Sequence, residues 1–217
     1  LKSADRGPVL VLPFAKAGSS GYDLAVTSAQ ASVQDYLAAL EEAVRRLPLT
    51  RTRNPAAARC LGCTACCAER IPLTVVDYHQ LTRRTSLDLL PRIAALRHHG
   101  PSVDVMLRRT PGGRCLFLDV QTGLCRVYRV RPFVCRTYIC CPVSRRAAEL
   151  REAVTNAGED ELVRLWLAKE PSPPGVSRAD WPPGAFTAKW SYREVNLRDC
   201  VSASLWRRLY QPKRGTP

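Results

Sequence analysis

The chain has 217 residues, of which 46% are hydrophobic and 24% charged; these are ordinary values for a globular protein and exclude a chain disordered throughout. No run approaches the roughly 20 apolar residues that a membrane helix requires, which excludes a spanning protein of the helical kind. Two quantities stand out, a formal net charge of +14 and ten cysteines, the latter about 5% of the chain and below the roughly 8–10% of a disulfide scaffold.

Residues 1–30 read as an extended leader with one short strand near Val9 to Pro13. Pro13 and Lys16 leave the apolar stretch Val9 to Phe14 too short for the core of a secretory signal. Over residues 31–47, Val33, Tyr36, Leu37, Leu40, Ala43, Val44 and Leu47 fall on one helical face, with Ser32 as N-cap. A basic loop, 48–59, precedes the first cysteine group. Thr74 and Asp77 form a capping-box pair that opens a helix to about Thr82. A second helix is expected from Ser86 past Leu96, with His98 and His99 at its C-terminal end before Gly100-Pro101.

Residues 103–109 read as a strand. Residues 115–130 read as a hairpin, Cys115 to Val120 and Leu124 to Val130, around Gln121-Thr122-Gly123, with Gly123 in the left-handed position. Pro132 suits the first position of a helical turn. Helices over 143–156 and 159–169, a proline-rich connector, a strand near 187–195 and a helix near 197–209 complete the chain. The fold class expected is α+β, mostly helical, with a small β-hairpin and irregular metal-binding cysteine loops. Three segments are expected: a leader and helix over 1–55, a cysteine-cluster domain over 56–145, and a helical extension over 146–217 packed on the same core.

The cysteines carry the chemistry. Cys60, Cys63, Cys66 and Cys67 follow each other at spacings that let one loop turn several thiolates onto a metal, as in zinc knuckles or a ferredoxin loop. Cys115, Cys125, Cys135 and Cys141 form the second part of the expected ligand set. In a regular hairpin Cys115 and Cys125 share a face about 13 Å apart at ~3.3 Å per residue, so either the hairpin bends or the two serve different sites. Cys135 falls in the turn opened by Pro132, where a helix start favours a thiolate. Four thiolates on Zn2+ or on a [4Fe–4S] core carry net negative charge. Arg131 and Arg136 are the expected counter-charges and Tyr128 an expected hydrogen-bond donor or packing partner.

Asp119 reads as a hard ligand, a base or a turn residue, His79 as a satisfied histidine, and Cys200 as a buried thiol. A Gly-rich phosphate loop, a Gly-x-Ser-x-Gly elbow and a His-Glu-x2-His pair are all missing from the sequence.

These cysteine motifs resemble those of the YkgJ-type CxxCxxCC family, described as zinc- or iron-chelating domains. The elements that carry the likeness are Cys60-Leu-Gly-Cys63-Thr-Ala-Cys66-Cys67, Ile71-Pro-Leu-Thr74 through Asp77, Gly113-Arg-Cys115-Leu-Phe-Leu118, Cys125-Arg-Val-Tyr128 and Arg131-Pro132-x2-Cys135-Arg136. Flagellin lysine N-methylases carry a similar cluster, associated there with iron–sulfur chemistry. The resemblance and the residues together imply a cytoplasmic metal protein holding an iron–sulfur cluster, most simply [4Fe–4S]. That cluster would serve redox or protein- and peptide-modifying chemistry, methyl transfer or metal-dependent oxidation included. The alternative is a structural Zn2+ module. Its basic surface would meet an acidic protein or peptide; nucleic acid is less favoured, because no basic run of five and no RNA-binding aromatic motif is present.

Overall fold

Residues 9–26 make a hairpin where the sequence suggested a single strand. In the computed structural model, which describes residues 7–57, 61–84 and 86–212, strand β1 (Val9–Lys16) pairs antiparallel with β2 (Ser19–Val26). The connection is Ala17-Gly18, with φ of 48° and 74°. Two successive left-handed residues match the twist of the flanking strands, which is why a two-residue turn works here. The free edge of β2 is covered from far along the chain. The Tyr22 N–H donates to the Pro142 carbonyl (3.1 Å) and the Ser144 N–H to the Tyr22 carbonyl (3.0 Å).

Helix α1 (Val33–Arg46) opens as expected at Ser32, whose hydroxyl caps Asp35 in a reciprocal capping box. Its first turn is supported by the loop 192–197, where a strand was expected. There Val33 N–H donates to Val195 and Gln34 N–H to Tyr192, so this backbone spends its carbonyls on a helix start and forms no strand. Helix α2 (Val75–Thr82) carries the expected Thr74–Asp77 box.

The helix expected through Leu96 stops early. A short helix α3 (Leu90–Ile93) gives way to β3 (Ala94–His99), paired with β4 (Ser102–Leu107) across Gly100-Pro101. His98 and His99 therefore end a strand. Burial of Val103, Val105 and Leu107 on β4 rewards the pairing and overrides local helix preference. Residues 71–73 lie along β4, with Leu73 N–H on the Val105 carbonyl and Leu107 N–H on the Ile71 carbonyl. This alignment ties the end of the first cysteine loop to the sheet.

After the short helix α4 (Phe133–Thr137), one helix, α5 (Arg145–Leu167), replaces the two expected around residue 157. Gly158 lies in the expected gap between those helices, and it is a contact point. A Cβ there would lie 2.5 Å from Thr74 Cβ and 3.2 Å from the Phe186 ring. Glycine costs a helix interior about 1 kcal/mol, and here it allows α5 to touch the start of α2. The last described helix, α6 (Ala203–Leu209), follows a 3-10 turn. One hydrophobic cluster runs through all of these elements, centred on Tyr22, Tyr36, Phe133, Phe186 and Tyr192. The architecture is α+β and mostly helical, and no described helix is long and apolar enough to cross a membrane.

The next residue on α5 creates a pH dependence. Glu159 accepts the Val105 N–H (2.6 Å). Burial first, then the neighbouring Asp104 and Asp160, push its carboxyl up to about 7. A raised acid contributes stability that is complete below its unfolded value and is lost as pH rises through the folded one. Glu159→Gln keeps an acceptor oxygen. It is expected to melt close to the parent at pH 5 and a few degrees higher at pH 8; an identical difference at both pH values would contradict this assignment.

Candidate metal centre

The first cysteine loop turns tightly, with Cys67 N–H on the Thr64 carbonyl (2.9 Å) and Glu69 N–H on the Cys66 carbonyl (3.1 Å). It is joined to the second group by backbone, since the Cys115 N–H donates to the Cys67 carbonyl (2.8 Å). The hairpin expected over 115–130 is replaced by turns and two single bridges, Arg109 with Cys115 and Leu118 with Cys125. The chain folds back directly after each cysteine, through Leu118 N–H to the Cys115 carbonyl and Tyr128 N–H to the Cys125 carbonyl. This bend removes the separation that a regular hairpin would impose. Asp119 is a turn residue: its Oδ1 accepts the N–H groups of Gln121 and Thr122. Gly123, φ 69°, closes that loop.

Six thiols result around one cavity. Cys63, Cys66, Cys67, Cys115, Cys125 and Cys135 all line it, with Ile71, Leu107, Phe117 and Leu118 as apolar wall. Its volume is about 60 Å³, several times the roughly 10–15 Å³ that one water needs. Among the described residues no three Cys, His, Asp or Glu side chains stand at the spacing of a single ion. Cys60 lies outside the described residues. Cys141 is buried in the core and does not line the cavity. The neighbouring peptide of Pro142 is drawn to β2 through Tyr22.

The other expected groups divide. Arg131 and Tyr128 line the cavity, with the guanidinium 4.2 Å from the Tyr128 ring centre. The Arg131 Nε–H is buried and has no hydrogen-bond partner among the described residues. Arg136 instead holds Glu41 on α1 through Nε (3.0 Å) and Nη2 (2.8 Å). His79 binds the Arg84 carbonyl and packs on Trp190, and Cys200 donates to the Asn196 carbonyl; neither lines the cavity.

Sequence reasoning missed three contributors. Asn54 Nδ2 lies 3.7 Å from Cys63 Sγ, and the Phe117 N–H donates to Cys115 Sγ (3.4 Å). Neither had a signal in the spacing. Asp77 had one, as a capping residue, but its reach was hidden. Beyond its own helix, Asp77 Oδ1 accepts the Phe133 N–H (2.7 Å) and the Tyr192 hydroxyl (2.6 Å). It thereby fixes the start of α4, two residues before Cys135.

Electrostatics fit a cationic metal core held by clustered thiolates. The Cys67 thiol donates to Cys66, which pushes Cys66 down to about 6, aided by Arg53 and Arg131; Cys67 itself is pushed up. Burial and then neighbouring thiols push Cys135 up, and burial pushes Cys115 up. Clustered thiolates repel unless a cation offsets them. The donor set is soft, as zinc and iron–sulfur groups prefer, and the orphaned Arg131 donor faces the same requirement from the opposite sign.

Comparison with known proteins agrees. A stretch of 25 residues is 56% identical to an uncharacterised protein of Methanocaldococcus jannaschii, covering 12% of this chain and 14% of that protein. No solved structure gives a significant match. The cysteine cavity lies within residues 59–158, and these residues match the CxxCxxCC family, described as a putative zinc- or iron-chelating domain.

Proposed function

We propose that this chain holds an iron–sulfur cluster, most simply [4Fe–4S], in the cysteine cavity and uses it in redox or peptide-modifying chemistry in a reducing compartment. The supporting observation is the gathering of six thiols around one volume larger than a single ion needs. Ligands would come from Cys63, Cys66, Cys67, Cys115, Cys125 and Cys135, with Cys60 from the same loop. Bound there, such a cluster supplies one-electron transfer. The protein's part is to hold and tune it. Arg131 offsets negative charge, Asn54 and the Phe117 N–H donate to sulfur, and Ile71, Leu107 and Leu118 limit water. A structural Zn2+ site is the second reading, favoured by the zinc in the family description.

The test is iron, zinc and acid-labile sulfide per chain, with a visible spectrum, on anaerobically purified protein. Iron and sulfide in near-equal amounts with a brown colour are expected. Zinc without iron, sulfide or colour would replace the cluster with the structural site.

A further inference from the structure

A second cavity of about 150 Å³ adjoins the first, and Cys66 and Cys135 belong to the walls of both. Its lining is sharply divided. Ile71, Val134 and the ring of Tyr138 are apolar or aromatic, whereas Arg53 and Arg70 are cationic. Glu69, also in the wall, is paired with Arg53. A third guanidinium, that of Arg151, lies 5.2 Å from the centre of the Tyr138 ring, and Arg53 lies 5.5 Å from it.

We infer that this cavity binds a small organic carboxylate with a short apolar tail, seated against Cys66 and Cys135. Three observations carry this. First, the lining holds two guanidiniums against one carboxylate, and a guanidinium fork matches a carboxylate in shape and charge. Second, the Arg53–Glu69 pair is exposed, with side chains 36% and 52% accessible. Exposed pairs contribute little, so an incoming carboxylate can replace Glu69 on Arg53 at small cost. Third, Ile71 and Val134 offer a place for a few methylene groups, which free phosphate or sulfate would leave unused. The inference deepens the metal-centre reading in one respect: the bound carboxylate lies beside two proposed ligands. Binding itself is measured without reference to the metal.

The probe is isovalerate, with isoamyl alcohol as its neutral counterpart of the same branched tail, titrated calorimetrically into the protein as purified. Isovalerate is expected to bind at least about tenfold more tightly than the alcohol, a difference of ~1.4 kcal/mol. Arg53→Gln and Arg70→Gln should each weaken isovalerate several-fold, with metal content unchanged in Arg70→Gln. Glu69→Gln removes the internal competitor and should tighten isovalerate. Equal binding of acid and alcohol, no binding of either, or indifference to both arginine substitutions overturns the inference. If an arginine variant fails to fold, Glu69→Gln decides: tighter binding supports the carboxylate site, and unchanged or weaker binding overturns it. Protein that keeps its metal but ignores isovalerate loses this inference alone. Protein that binds isovalerate but carries no metal loses the metal reading alone.

Discussion

Cys135→Ser is expected to lose most of its bound metal and to melt well below the parent. Cys135 borders both cavities and sits on a helix pinned at its start by buried Phe133 and by Asp77. Its thiol is thus held in place by the fold, and a serine oxygen is a poor substitute for a soft thiolate. Loss of an outer-shell partner alone typically costs roughly 10–100-fold in metal affinity, so loss of a proposed ligand should cost at least as much. Cys200→Ser is the matched control. It removes a thiol that lies outside both cavities, and its metal content should not change. Metal analysis after gel filtration reads both. Full metal retention in Cys135→Ser and in the parallel Cys63→Ser would remove the cysteine cavity as the binding site.

Asp77→Ala is expected to destabilise the fold by about 3–5 kcal/mol and to weaken metal retention with it. The carboxylate accepts from the Thr74 N–H, the Phe133 N–H and the Tyr192 hydroxyl. All three donors are in the core, and each buried donor left unsatisfied costs about 1–3 kcal/mol. That is a large share of the ~5–15 kcal/mol that separates folded from unfolded domains. Burial raises the carboxyl above its ordinary range while the hydrogen bonds pull the other way. Asp77→Asn should therefore fall between the two, because its amide keeps one acceptor oxygen. Urea unfolding gives the stability, and competition with a chelator gives the metal. A stability loss with unaltered chelator resistance would show that α4 is positioned for the centre by other contacts.

Local signals were readable where the physics is local. The Ser32–Asp35 and Thr74–Asp77 boxes each close within three residues, so the starts of α1 and α2 stood in the sequence. Residues 94–99 carry an ambiguous local signal: Leu96 fits a helical stripe as well as a strand, and the strand's partner lies beyond Gly100-Pro101. The gap expected between residues 156 and 159 is closed by helix, because Gly158 meets Thr74 and Phe186, which nothing nearby in the sequence announces. The same division runs through the site. Spacing grouped Cys63, Cys66 and Cys67, which share one loop. Cys115 and Cys125 reach the same cavity through a bend that alternation along a strand cannot encode. Cys141 looked equivalent to Cys135 in sequence, yet the adjacent Pro142 carbonyl bonds to Tyr22. Arg136 likewise stood beside Cys135 in the chain, but α1 offers it Glu41.

The hydrogen bond from the Cys115 N–H to the Cys67 carbonyl bears on the order of assembly. It clasps the two cysteine segments by main chain alone, without calling on any thiol. A main-chain contact of this kind shares the entropy of closing the stretch between Cys67 and Cys115 with any group bound across it. A group that bridges the clasp late would add contacts made after the folding transition state. Such contacts slow unfolding and leave the folding rate almost untouched. Occupancy would accordingly set how long this domain stays folded, rather than how quickly it gets there.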